Sequence, residues 1–153
     1  MIGLKTIYII LLLSFCLLIK SQTIQFENYT SKDGLISDEV YNLHQDNNGY
    51  IWLFTNYGAM KYNGKEFKSV LKNLPFSESF IYCIYENKNG RKWCVNSNTK
   101  IYEIKNDSAF LVKGTDNLSK KLGVVFQIFV DDSLEMYLSS YQYSYKFSLK
   151  TYK

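Results

Sequence analysis

One stretch of this chain is written twice. Val40–Trp52 (VYNLHQDNNGYIW) lies over Ile81–Trp93 (IYCIYENKNGRKW) without a gap, so Gly49 and Gly90, and Trp52 and Trp93, each stand 41 residues apart. A third copy, Phe126 to Tyr137, keeps the apolar spacing and puts Tyr137 where Trp93 stood, 44 residues further on. Phe26 and Phe67 share the spacing of 41 outside that core. A repeat of this length constrains folding more than composition does. One unit cannot bury its own apolar surface and must stack on the next.

Within a copy the strands can be placed. Val40–Gln45 reads as one strand and Asp46-Asn47-Asn48-Gly49 as a turn, where Asn and Gly tolerate positive φ. Tyr50–Thr55 returns, Asn56-Tyr57-Gly58 turns into Ala59–Tyr62, and Asn63-Gly64 turns into Lys65–Val70. Aromatics make up 17% of the chain, with 14 Tyr and a single Pro, which suits strands. Four short strands in a period of about 40–45 residues describe a β-propeller blade. The expected fold class is therefore all-β, with about three four-stranded antiparallel blades near 38–72, 79–113 and 122–153. Phe26–Thr30 aligns with the outer strand of a blade (66–70, 109–113), and 26–30 is read as a latch strand that would complete a last blade. Three blades fall short of the four to eight of a closed ring. The expectation is an incomplete ring, either the N-terminal piece of a longer protein or a decayed one.

Facing residues follow from a two-residue turn centred between Asn47 and Asn48. Leu43 then meets Trp52 and Tyr41 meets Phe54. In the second copy Ile84 meets Trp93 and Tyr82 meets Val95, and in the third Ile128 meets Tyr137. The large apolar pairs share one face, which makes Trp52 and Trp93 core residues. The same register sets Cys83 opposite Cys94. Two outcomes stay open: a cross-strand disulfide in an oxidising compartment, or two buried thiols if a G1 bulge shifts the register by one.

The first residues follow a different logic. Lys5 precedes Ile7–Ile19, 13 residues that are apolar except for Ser14. That matches a signal-peptide core and falls short of the roughly 20 apolar residues of a spanning helix. Residues 1–21 are read as a signal peptide and 22–153 as the mature partial propeller. Cys16 follows a bulky Phe15, which argues against a lipoprotein site. Without Lys5 and Lys20 the balance is 16 basic to 14 acidic residues, a net charge of +2. This is too even to favour nucleic acid or an anionic membrane.

Four motifs now stand in order: Asp33-Gly34-Leu35-Ile36-Ser37-Asp38-Glu39-Val40, then Asp46–Trp52, then Thr55-Asn56-Tyr57-Gly58, then Tyr62-Asn63-Gly64-Lys65-Glu66-Phe67. Together they resemble the two-component regulator propeller repeat, whose usual form is D-G-L-x-x-x-x-V, D-x-x-G-x-I-W, T-x-x-G and an aromatic-N/D-G-x-x-F stretch. The second copy keeps Gly90 and Trp93 but loses the Thr and the second Gly. The third keeps only apolar spacing. Asp46, Gly49, Trp52, Gly90, Trp93 and Tyr137 are the structural signature of the repeat, and the resemblance covers about residues 24–147.

The resemblance implies the ligand-sensing extracytoplasmic part of a membrane-bound signalling protein. Its type would be a sensor histidine kinase or hybrid two-component regulator, as in Bacteroidetes-like bacteria. Such a chain is periplasmic or extracellular and, at full length, tethered to the inner membrane. Its partners would be the remaining blades, downstream signalling domains and a glycan ligand, with no nucleic acid and no membrane span in the mature chain. The sequence shows no second hydrophobic span, no phospho-accepting His in a helical context and no nucleotide-binding glycine cluster. No enzyme activity, cofactor, metal or catalytic residue is therefore expected here.

Two alternatives share the fold. One is a secreted propeller scaffold or binding protein without signalling output. The other is a propeller glycosidase, because Asp46–Trp52 loosely resembles the sialidase Asp-box. Sialidase chemistry needs an arginine cluster, and Arg91 is the sole arginine. Among lone candidates, His44 lacks ligating neighbours in sequence and Asp131-Asp132 reads as turn chemistry. Lys120-Lys121 reads as a loop pair. Asn28-Tyr29-Thr30 fits a glycosylation acceptor only in a eukaryotic host.

Overall fold

A computed structural model of the chain describes residues 3–5, 8, 24–75, 78, 80–116 and 118–152. Apart from Gly3–Lys5 and Tyr8, the expected signal peptide, with Cys16, lies outside the described residues. Residues 40–148 form three antiparallel sheets. Sheet 1 contains β1 (Val40–Gln45), β2 (Ile51–Thr55), β3 (Gly58–Tyr62) and β4 (Phe67–Val70), hydrogen-bonded in chain order. Sheet 2 repeats this with β5 (Ile81–Glu86), β6 (Lys92–Asn96), β7 (Ile101–Lys105) and β8 (Ser108–Leu111). A short helix, α1 (Leu118–Leu122), leads into sheet 3, made of β9 (Val125–Val130), β10 (Glu135–Ser140) and β11 (Ser144–Ser148). A 3-10 turn over Leu149–Tyr152 follows β11, and sheet 3 has three strands among the described residues.

The sheets stack face to face. Trp52, Phe54 and Val70 of sheet 1 close on Ile81, Cys94 and Tyr102 of sheet 2. Trp93, Val95 and Ile101 of sheet 2 close on Ile128, Met136 and Leu138 of sheet 3. Both tryptophans are core, with Trp52 1% and Trp93 0% exposed. Sheet 1 has a third apolar surface on its far side, where Leu35 covers Leu53 and Met60. The segment that carries Leu35 is pinned by a capping box: Thr30 and Asp33 satisfy each other's backbone donors around Ser31–Asp33. Tyr29 adds ring contacts to Tyr62 and Phe67, at 5.4 and 5.5 Å. Residues 26–30, read from sequence as a latch strand, form no strand among the described residues, and Phe26 is 88% exposed.

The pairing register differs from the sequence expectation by one residue in all three copies. Leu43 faces Leu53, and Trp52 faces His44. Tyr85 faces Trp93, and Phe129 faces Tyr137. Phe54, expected opposite Tyr41, faces Asn42. Val95, expected opposite Tyr82, faces Cys83. The cause is the turn. The Asp46 amide donates to the Tyr50 carbonyl at 2.9 Å and Gly49 donates back to Asp46 at 2.8 Å, with Gly49 at φ +85. That is a three-residue loop closed by a G1 bulge, and its odd length moves every rung by one. Asn87–Arg91 and Asp131–Glu135 close in the same way. In the third copy Leu134 occupies the glycine position at φ +61, a conformation in which a side chain is strained.

One step of register turns side chains to the other face. Leu43 and Trp52 therefore lie on opposite sides of sheet 1, 62% and 1% exposed. Cys83 and Cys94 likewise part company: Cys83 faces sheet 3 with Val95, and Cys94 faces sheet 1 with Ile84. Both are free, buried thiols, the second of the two outcomes the sequence leaves open, and the one that follows from a G1 bulge moving the register by one. Burial pushes the Cys83 thiol up to about 12 against a lowering bond from the Val95 backbone, and burial also raises Cys94. A chain begun at residue 22, which omits Cys16, should therefore resist iodoacetamide at neutral pH when folded, and denaturation without reductant should expose two alkylatable thiols. Recovery of none after unfolding would require the disulfide instead.

Candidate functional site

The signature residues form turn anchors. Asp46 Oδ1 accepts from the Asn48 and Tyr50 amides at 3.0 Å each, and Asp46 Oδ2 accepts from Trp52 Nε1 at 2.9 Å. One carboxylate thereby ties the loop to the core tryptophan. Asp131 repeats this with the Ser133 and Glu135 amides at 2.9 Å, and Tyr137 Oη donates to its second oxygen at 3.4 Å. In the middle copy Asn87 Oδ1 takes the Asn89 and Arg91 amides at 3.0 Å. Its remaining atom is an amide nitrogen, which cannot accept a hydrogen bond. Trp93 Nε1 is accordingly buried without a partner. Gly49 and Gly90 supply the positive φ of these loops. All six signature residues therefore serve the repeat.

Around the first anchor, charges link sheet 1 to sheet 2. Glu86, its side chain 2% exposed, accepts from Lys92 Nζ and from the Asn47 amide at 2.9 Å each. Lys92 also stands 3.7 Å from Asp46, and Lys61 pairs with Asp107 at 2.9 Å. Asp46, Lys61, Lys92 and Asp107 line a polar cleft of about 600 Å³. His44 Nε2 lies 3.5 Å from Glu86 but is buried without a hydrogen bond. Arg91 grips Glu103 through Nε and Nη2 at 3.0 and 2.7 Å and lies over the Trp93 ring. Among the described residues no His, Cys, Asp and Glu cluster has metal-binding geometry. The cleft reads as a seam between blades.

The opposite end of the sheets is different. Each first strand breaks its ladder once: between Val40 and Asn42, between Ile81 and Cys83, and between Val125 and Gln127. The residue skipped is aromatic every time: Tyr41, Tyr82 and Phe126. They occupy equivalent positions in the three copies and remain 54%, 38% and 40% exposed. A bulge re-aims the side chain it carries and is common beside binding sites. Other rings join them. Phe80 lies 4.7 Å from Tyr41 and 5.2 Å from Tyr82, and Tyr141 lies 4.9 Å from Phe126. Asn42 Nδ2 donates to the Tyr82 carbonyl at 2.5 Å, tying neighbouring first strands together. A cavity of about 390 Å³ adjoins this edge, walled by Lys120, Lys121, Val124 and Tyr141–Tyr143. Lys120 and Lys121, read as a loop pair, belong to α1.

Residues 34–57 match the family described as two component regulator propeller. The chain carries a two-component regulator propeller repeat. Among solved structures, the propeller chain is similar to the extracellular domain of BT4673 of B. thetaiotaomicron, assigned to a hybrid two-component system. The TM-score is 0.65 at 16% identity, over 88% of this chain and 18% of that one. The corresponding domain of BT3049 from the same organism gives 0.59 at 16% identity, over 82% and 16%. PorZ, a surface component of the type-IX secretion system of Porphyromonas gingivalis, gives 0.50 at 17% identity, over 72% and 17%. The propeller chain thus spans less than a fifth of the length of the solved chains it matches, and at these identities the likeness is one of fold. No curated protein matches it.

The bulged aromatics are not legible in the sequence as bulges, because period-two alternation alone predicts an unbroken ladder. Their recurrence at the repeat spacing was nevertheless visible. The anchor makes a separate, measurable statement. Burial alone would raise the Asp46 carboxyl, but bonds from Trp52 and the Tyr50 amide, with the Lys92 charge, hold it below its ordinary 3.8. Its stabilising contribution is full above that ordinary value and is lost as pH falls through the lower folded value. Asp46→Asn should orphan Trp52 Nε1 as Trp93 Nε1 is orphaned, costing about 1–3 kcal/mol in urea unfolding at pH 7. It should also flatten the loss of stability on acidification below about pH 4. A variant as stable as wild type would show that the anchor contributes little.

Proposed function

We propose that this chain is part of the sensor of an exported, membrane-tethered two-component signalling protein, and that it reads a glycan with its bulged aromatic edge. The observation that carries the sensing reading is the exposed aromatic repeated at one bulge in three successive blades, in a chain whose first blade matches the two-component regulator propeller family. Aromatic faces stack on the apolar faces of sugar rings, and neighbouring amides and hydroxyls orient the sugar hydroxyls. Asn42 and Gln127, each next to a bulged ring, are groups of that kind. Such a surface binds rather than transforms, and a sensor needs no more. The type of output follows the family and the extracellular domains of BT4673 and BT3049. Among the described residues no helix is long and apolar enough to cross a membrane.

A second reading, a surface scaffold or binding protein without signalling output, is supported by the likeness to PorZ. Signalling and surface proteins share this fold, so the fold does not separate the two readings. Both keep the aromatic edge as a binding surface.

Titration calorimetry against a panel of neutral and acidic oligosaccharides tests the ligand class. Tyr41→Ala, Tyr82→Ala and Phe126→Ala should each weaken binding about fivefold, the equivalent of ~1 kcal/mol per stacked ring. Because the three rings are exposed, Tm should stay within roughly 1 °C of wild type. A panel with no binder, or variants that bind as well as wild type, would remove the glycan from this edge.

A further inference from the structure

The two seams between sheets are of different kinds, and the difference is readable on each face. Sheet 1 presents Asp46, Trp52 and Lys61, with Lys61 on the rung of Trp52. Sheet 2 answers with Glu86, Lys92 and Asp107, at 2.9 Å from Lys61 in the last case. Sheet 2's other face presents Asn87, Trp93 and Glu103, with Glu103 on the rung of Trp93. Sheet 3 answers there with Val130 and Met136, 1% and 0% exposed, at the repeat positions of Glu86 and Lys92. Among the described residues no ion pair crosses that second seam.

Sheet 3's own outward face returns to the first kind. Asp131 anchors the turn, Tyr137 replaces Trp52, and Lys146 stands on the rung of Tyr137 with its Nζ 5.8 Å from the ring centre. In sheet 1, Lys61 Nζ stands 5.0 Å over Trp52. Lys61 is sealed by Asp107 and its side chain is 19% exposed, whereas that of Lys146 is 58% exposed and 3.8 Å from Glu135 of its own sheet. Phe129 and Tyr137 remain 49% and 41% exposed, above a hollow of about 540 Å³.

We propose that this face seats a further four-stranded blade of the sheet 2 kind, one that brings a carboxylate to Lys146 and an ammonium group to Asp131. A second copy of this chain does not fit the requirement. Sheet 1's far face carries Gln45 and Ile51 at the positions of Glu86 and Lys92, and Leu35 already covers part of it. The seat therefore selects its occupant by charge, and a blade of the sheet 3 kind is rejected because it leaves Asp131 and Lys146 facing apolar groups. This inference does not depend on the ligand of the aromatic edge.

The test lengthens the whole chain beyond Lys153, through a Gly-Ser linker, with a second copy of residues 75–113, which carries Glu86, Lys92 and Asp107. A parallel chain is lengthened with a second copy of residues 118–152. The first extension should raise Tm by about 5 °C and protect Tyr137 from nitration, and the second should do neither. Lys146→Glu should abolish the gain, and D107K in the appended copy should restore it. Equal gains from both extensions, no gain from either, or indifference to Lys146→Glu would overturn the proposal. So would an unextended chain that is a tight dimer with Tyr137 already protected, since the occupant would then be a second copy.

Discussion

A single carboxylate holds the first blade in register. Asp46 accepts two loop amides on one oxygen and the indole of Trp52 on the other, so the turn, the strand and the core are fixed by one side chain. The three-residue loop that this anchor stabilises has an odd register, and the register decides which residues face the next sheet. Trp52 turns inward with His44 and Lys61 on its rung; Leu43 turns to the far side. Had the loop been a two-residue turn, the tryptophan would have shared a face with Leu43, and Cys83 would have met Cys94. The chemistry of one loop thus reaches both faces of the sheet.

Stacking imposes the second constraint. Each blade is apolar on both faces and must be covered on both, yet a stack of uniformly apolar faces would not specify order. Here the anchor varies along the chain. Asp46 with Lys61 draws a charged partner, while Trp93, beside the Asn87 turn, packs with Val130 and Met136. The exchange of Asp for Asn leaves Trp93 Nε1 unsatisfied, a cost of about 1–3 kcal/mol for a buried donor, in a seam that no ion pair crosses among the described residues. Polar specification at one seam and apolar packing at the other are two solutions to the same stacking problem.

Much of the architecture is legible in the sequence. The repeat of 41 residues, the Gly49 and Gly90 turns and the paired tryptophans are local or periodic features, and these survive translation into strands and cores with little change. What was misread shares one cause. Facing pairs and the cysteine geometry both depend on whether a turn holds two residues or three. Composition does not separate those cases, since Asp-Asn-Asn-Gly suits both. The expected latch strand is a separate matter: a strand exists only with a neighbour to pair with, and residues 26–30 have no pairing strand among the described residues.

The candidate site divides along the same line. Tyr41, Tyr82 and Phe126 recur at the repeat spacing, so the sequence alone determined that an aromatic belongs at one position of every first strand. Only the tertiary structure decided that these rings are bulged out of the ladder and left half in water, while Trp52 and Trp93 are sealed. The physical reason is that a periodic pattern specifies which residues alternate, whereas the face each one takes is set by hydrogen bonds in a turn several residues away and by the sheet that comes to lie against it.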